Sequence, residues 1–203
     1  MSPRPRSVSD DAILAVTARL ISRVGPAGMT LADVGAEVGL APATLVQRFG
    51  SKRGLLLAVV KHSVDSVDRR FALVRERANT ALDALFTAAS DMAEHIRTPE
   101  ALVHNLAFFQ IDLSDPDFHR LTLDYSRRVR AGYTTLLDEA VHAGELTECD
   151  TEALASVLQA VAAGSVLNWA IHREGTVLRW VRSDLETVLA PYRRDGSPSR
   201  LRR

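Results

Sequence analysis

Cysteine is all but absent from the 203 residues: Cys149 stands alone. No internal disulfide framework is available to the chain, and a reducing, cytoplasmic setting is expected. Its neighbours Glu148 and Asp150 disfavour a thiolate, which makes Cys149 an ordinary loop residue. Aromatics are sparse, at 5%. The longest apolar runs, LLLAVV and AVAAGSVLNWAI, fall short of the roughly 18 residues of a membrane span. MSPRPRSV carries charge with no apolar stretch behind it, unlike a signal peptide. Strand signals are missing too, with no sustained alternation and no Asn-Gly turn. There is no Gly-rich phosphate loop, no nucleophile elbow and no Cys/His cluster at zinc spacing. A single Glu-x-x-His pair, Glu139 to His142, lacks the second copy and extra carboxylates of a di-iron bundle. Catalysis, a metal, a cofactor and a membrane partner are therefore not expected.

What the chain does have is helical periodicity nearly everywhere. Ile13, Val16, Leu20 and Val24 mark a first helix, begun by Ser7 or Ser9 and closed near Gly25-Pro26. Short helices follow at Thr30 to Val38 and Pro42 to Phe49, then a long one from Ser51 to about Arg77. The remainder reads as Asn79 to Arg97, Pro99 to just before LSDPD, Asp117 to His142, Thr151 to His172 and Thr176 to Tyr192. The expected fold is all-α with about nine helices. Formal net charge is zero, but residues 1–62 hold eight Lys/Arg against four acids. A basic front on a neutral chain suggests an anionic partner for that part.

The stretch TLADVGAEVGLAPATLVQRFGSK is the most informative. Thr30 and Asp33 form a capping-box pattern, Gly39 can end the helix in a left-handed turn, and Pro42 suits the first position of the next. At 100° per residue, Pro42, Leu45, Val46 and Phe49 share one half of that second helix. Ala43, Thr44, Gln47 and Arg48 share the other, which offers small residues, a hydroxyl, an amide and a guanidinium. Such a face suits a major groove, where Gln pairs with adenine and Arg with guanine or phosphate.

On these residues the chain resembles the TetR family of transcriptional regulators. Thr30, Val34-Gly35, Val38-Gly39-Leu40, Thr44-Leu45, Phe49, Ser51-Lys52 and Leu55 occupy the family's places in order, over about residues 9–60. The resemblance implies a three-helix helix-turn-helix domain followed by a helical ligand-binding and dimerisation domain. It implies a double-stranded DNA operator read by Thr44, Gln47 and Arg48, phosphate contacts from Thr30 and Lys52, and Ala41 and Ala43 close to the backbone or a thymine methyl. Val46 stands where the family usually has tyrosine, which removes one phosphate contact. Arg4 and Arg6 of a basic arm can compensate from the minor groove. The expected division is an arm over 1–8, the DNA-binding domain over 9–55, the ligand-binding domain over 56–192 and a tail over 193–203, with arm and tail disordered.

The last two helices are expected to pair with a second copy as a four-helix bundle, through Leu154, Leu158, Val161 and Ser165 of one helix and Val177, Val181, Leu185 and Val188 of the other. A pocket for a small-molecule effector, mostly apolar, is expected among Phe71, Met92, His95, His104, Phe108, Phe109, Tyr125, Arg128 and Trp169. The function so implied is a homodimeric repressor released from a palindromic operator by its effector. The alternative is a helical dimeric interaction protein that has lost specific DNA binding.

Overall fold

The computed structural model describes residues 8–93 and 96–194. The expected arm ahead of Val8, His95, the side chain of Met92 and the tail beyond Arg194 lie outside the described residues. The described chain forms α1 (Asp10–Gly28), α2 (Leu31–Val38), α3 (Pro42–Phe49), α4 (Lys52–Arg77), α5 (Ala81–Ala93), α6 (Pro99–Ser114), α7 (Pro116–His142), α8 (Thr151–His172) and α9 (Val177–Leu189). A 3-10 turn, Ala190–Tyr192, follows α9. No strand forms among the described residues beyond one isolated bridge between Leu146 and Arg193.

Local chemistry explains most of the boundaries. Ser9, Thr98, Asp150 and Thr176 cap α1, α6, α8 and α9, each accepting a backbone N–H three residues on. Glu145 caps α5 from a distance, its carboxylate accepting from Ala81 N at 2.9 Å and Leu82 N at 3.2 Å. The regular run of α1 closes at Gly25, which is non-helical at φ 74°, ψ 165°, and a further short helical piece begun by Pro26 carries α1 on to Gly28. α6 runs through Leu113 and Ser114, because Pro116 restricts only Asp115, which is extended at φ −104°, ψ 124°.

The helices sort into two compact units. The first comprises residues 8–65 and 98–124, and the second 66–97 and 125–194. Each unit thus receives part of α4 and part of α7. In the first, Ile13, Leu20, Ile21, Met29, Val34, Leu45, Leu55 and Phe118 are buried together. Burial of each such side chain is worth about 1.5–3 kcal/mol. α6 lies along α1, where His104 Nδ1 donates to the Ser22 carbonyl at 3.1 Å and Asn105 donates to Ser22 Oγ at 3.3 Å. α6 also buries Asp112, and burial pushes its carboxyl up to about 6. The neighbouring Thr122 hydroxyl offsets this only in part.

In the second unit Phe86, Val129, Tyr133, Leu137, Leu158, Val181 and Leu185 are buried, and α9 packs on both α8 and α5. This packing redirects the expected dimer stripe. Leu154, Leu158, Ser165, Val177, Val181 and Leu185 are buried within the chain, while Val161 and Val188 are half-buried. Ser165 Oγ donates to Asp184 of α9 at 2.6 Å. The face α8 leaves outward carries Ala153, Val157, Ala160, Leu167 and Ile171, with Leu178 of α9 also exposed. α8 is apolar nearly all round, so its periodicity could not say which side α9 would take. By length and composition α8 is also apolar enough to cross a membrane, with 33% of the qualifying window buried. The run AVAAGSVLNWAI covers only the second half of this helix, because Gln159 separates it from the apolar residues ahead.

Candidate nucleic-acid interface

The first unit presents α2 and α3 as a pair joined by the three residues Gly39 to Ala41, a turn whose geometry follows from Gly39 and from Gly35 of α2. Gly39 is left-handed at φ 69°, and the Leu40 N–H donates back to the Gly35 carbonyl at 2.9 Å. A Cβ on Gly35 would stand 2.5 Å from the Leu40 carbonyl oxygen, so only glycine admits this close approach. The capping box of α2 is complete. Asp33 N donates to Thr30 Oγ1 at 3.1 Å, and Thr30 N donates to Asp33 Oδ2 at 2.8 Å. The Thr30 hydroxyl also donates to Asp33 Oδ2 at 2.7 Å, and this bond first, then the one from Thr30 N, holds the Asp33 carboxyl below its usual range. Thr30 is thereby committed to the cap.

α3 rests on the core by a narrow stripe. Leu45 is fully buried and Phe49 half-buried. Ala41, Pro42, Ala43, Gln47 and Arg48 are exposed, and Thr44 is half-buried. Val46 is 45% exposed, so it does not belong to the packed half as its angle suggested. An eight-residue helix crossing a core buries one i, i+4 pair and little beside it. Gln47 makes no side-chain hydrogen bond to another described residue, but Arg48 and Lys52 do. Arg48 Nη1 donates to the Val8 carbonyl at 2.6 Å and to Asp10 Oδ1 at 3.2 Å. Lys52 Nζ donates to the Ala27 carbonyl at 3.2 Å, a cation at the negative end of α1.

The turn between α3 and α4 is tighter still. Gly50 takes φ 77°, ψ −48°, and Ser51 Oγ accepts from Gly54 N at 3.0 Å. The residue sequence reasoning missed here is Arg53, which forks to Asp115 at 2.7 and 2.8 Å and reaches Asp117 at 2.9 Å. Its guanidinium also lies 5.5 Å from the Phe118 ring centre. This pairing raises Arg53 further above its ordinary value and holds the Asp115 carboxyl down. Asp-Pro-Asp at 115–117 was the available signal, but nothing local tells which cation it will meet.

The expected pocket residues are divided between the two units. His104, Phe108 and Phe109 belong to the first unit: His104 faces Ser22, Phe108 packs edge-on to Phe118 with centroids 6.2 Å apart, and Phe109 is 46% exposed. α6 spends its inward face on α1. In the second unit a cleft of about 480 Å³ is lined by Ser90, Asp91, Arg97, Trp169 and Gly175 to Leu178. The Trp169 indole donates to the Gly175 carbonyl at 3.3 Å. A hollow of only about 20 Å³ is lined by Arg70, Phe71, Val74, Ala88, Asp91 and Val129. Asp91 lines both. Phe71 lies against Gly132, where a Cβ would meet its ring at 2.6 Å, and edge-on to Tyr133. Arg70 reaches the Tyr125 hydroxyl at 3.4 Å, and Arg128 pairs with Asp68 at 2.9 Å.

Other groups are structural. Glu139 pairs with Arg75, and no His/Cys/Asp/Glu cluster suited to a metal occurs among the described residues. Burial, then the Asp150 and Asp138 carboxylates, push the Cys149 thiol up.

Comparison with known proteins finds two family profiles along the chain. The family profile described as bacterial regulatory proteins, tetR family, matches residues 13–59, and that of the BetI-type transcriptional repressor C-terminal region matches residues 74–190. The HTH-type transcriptional regulator BetI of Brucella abortus is 28% identical over 142 residues, covering 67% of each chain. BetI of Agrobacterium fabrum is 29% identical over 140 residues, covering 68% of this chain and 66% of its own. A TetR transcription regulator from Haloarcula marismortui superposes with TM-score 0.73 at 15% identity, over 91% of this chain and 98% of its own. A transcriptional regulator from Saccharomonospora viridis, solved in complex with choline, superposes with TM-score 0.69 at 21% identity, over 89% and 95%.

Proposed function

The chain belongs to the TetR family of bacterial regulatory proteins and is a DNA-binding transcriptional regulator, and on that premise we propose that it is a homodimeric repressor released from a palindromic operator by a small-molecule effector. The observation that carries the DNA reading is the exposed arc of α3, where Gln47 has no partner among the described residues and Ala41, Ala43 and Thr44 leave room for close approach. Gln47 is the base reader, bidentate to adenine in the major groove, and the exposed methyls of Val46 suit a thymine methyl. Thr30 and Lys52 mark the two helix starts that meet phosphates. Gln47→Ala should cost about 1–3 kcal/mol at the selected site and relax one base position. Lys52→Ala should weaken all duplexes alike and flatten the log–log salt slope by about 0.9. Binding indifferent to both changes and to salt would favour the interaction-protein alternative.

The homodimer is proposed through the outward face of α8, which replaces the inward residues first expected. Small Ala160 and Gly164 on that face allow two helices to approach closely. Effector binding in the second unit would favour a dimer state whose reading helices no longer meet successive major grooves. The 480 Å³ cleft suits that effector. The choline complex of the Saccharomonospora neighbour supports a small organic cation, for which Trp169 and Asp91 supply an indole and a carboxylate. Choline at about a hundred times its Kd should stabilise the chain by about 2.7 kcal/mol. A thermal melt unmoved by millimolar choline would discard that class of ligand.

A further inference from the structure

Two adjacent cations, Lys52 and Arg53, open α4 just after the reading helix, and the first unit gives them different partners. Lys52 donates to the Ala27 carbonyl at 3.2 Å and makes no ion pair among the described residues. Arg53 is compensated twice over. Its Nε and Nη2 donate to the two oxygens of Asp115 at 2.7–3.1 Å, and Nη2 also donates to Asp117 at 2.9 Å. Arg120 lies 3.7 Å from Asp117, so this cluster of two guanidinium groups and two carboxylates carries no net charge. Asp115 is itself tied down, its Oδ1 accepting from Asp117 N at 3.0 Å at the start of α7. Beneath the fork lies Phe118, which is 1% exposed and belongs to the buried core of the first unit. A phosphate drawn to Arg53 would have to displace a bidentate carboxylate, the strongest kind of ion pair a guanidinium makes. Exposed pairs contribute little to stability one by one, and bidentate or networked ones more. The effect of this fork is local: it ties the first turn of α4, which the Ser51–Gly54 bond joins to the end of α3, to the Asp115-Pro116-Asp117 elbow.

Resting on the reading of α3 as the DNA-facing helix, we propose that Arg53 is a positioning residue and not a phosphate contact. With Asp115 and Asp117 it fixes the first turn of α4, so that Lys52 meets phosphate while Gln47 meets its base. Specific binding needs both contacts at once, whereas binding to an arbitrary duplex needs only charge. The fork therefore acts on the preference for the selected duplex over a scrambled one. A phosphate contact would act on both duplexes alike.

The test uses the full chain, a duplex that the wild-type chain enriches from a random-sequence pool, and a scrambled duplex of equal length. Asp115→Asn/Asp117→Asn keeps the side-chain acceptor at the start of α7, since asparagine caps as well as aspartate, and removes the charge that the fork needs. It should lower the ratio of the two affinities by about tenfold, within the range for groups coupled through one backbone shift. Were Arg53 a phosphate contact, loss of its carboxylates would free it, and both duplexes would bind more tightly with the ratio unchanged. Arg53→Ala should lower the ratio to the same extent and add little to the carboxylate substitutions. It should also leave the log–log salt slope on the scrambled duplex as it was, where a lost phosphate contact flattens it by about 0.9. Arg53→Lys keeps the charge and the apolar stem but not the fork. It should therefore behave as Arg53→Ala does, and it serves if the alanine variant fails to fold. An undiminished ratio in the carboxylate variant, a flattened slope in Arg53→Ala or a wild-type ratio in Arg53→Lys would each overturn the proposal while leaving the reading of α3 intact. A wild-type chain that enriches no duplex would overturn that reading, and this proposal with it.

Discussion

Gly54→Ala is expected to lower the melting temperature by roughly 6–12 °C, equivalent to about 3 kcal/mol in a chain of this length, and to abolish specific DNA binding. A Cβ at this position would stand 2.0 Å from the Phe49 carbonyl oxygen and 3.2 Å from its carbon. The obstacle is backbone, so no rotamer relieves it. Either the end of α3 or the first turn of α4 has to move, and the Gly54 N–H bond to Ser51 Oγ goes with it. Gln47 lies on one side of this turn and Lys52 on the other, so the proposed base and phosphate contacts lose their spacing together. Gly39→Ala is the useful contrast. It is left-handed but has nothing within 4 Å of its Cβ position, so only a backbone cost of about 1–2 kcal/mol applies. A thermal melt of both variants checks the ranking, and a Gly54→Ala protein as stable as wild type would contradict the tight-turn geometry.

Ile171→Asp is expected to convert the proposed homodimer to a folded monomer and to weaken operator binding by about 10²–10⁴-fold, because the second half-site contact ceases to be tethered to the first. Ile171 is 75% exposed and Leu167 44%, so a charge there costs the monomer little. Against a symmetry mate the same charge is buried without a partner, which is strongly unfavourable. Trp169, two residues earlier, cannot serve this purpose. It is 5% exposed and its indole is bonded to Gly175, so a carboxylate at that position disrupts the unit itself. Sedimentation equilibrium with a parallel melt separates the cases. A dimer mass retained in folded Ile171→Asp would remove the outward face of α8 from consideration.

The difference between these two helix faces shows what was legible and what was not. In α2 and α3 the controlling interactions are local: Thr30 with Asp33, Gly39 in its turn, Pro42 at a helix start. Each lies within a few residues of its partner, so the helix-turn-helix and its exposed arc could be read from the chain. α8 offered apolar residues around its whole circumference, and only the arrival of α9 decided that Leu158 and Ser165 face inward while Leu167 and Ile171 do not.

The same division runs through the candidate sites. Residue order alone determined the nine helices found among the described residues, the Thr30–Asp33 cap, the lack of strand pairing there and the family to which the first sixty residues conform, because helix periodicity and local capping act over three or four positions. Tertiary structure alone decided that Arg48 is held by Val8 and Asp10, that Arg53 meets Asp115, and that Phe108 and Phe109 belong to one unit while Phe71 and Trp169 belong to the other. Those pairings join residues 38 to 62 positions apart. No local propensity encodes them, since a long flexible side chain accepts whichever partner the packing of whole helices brings within reach.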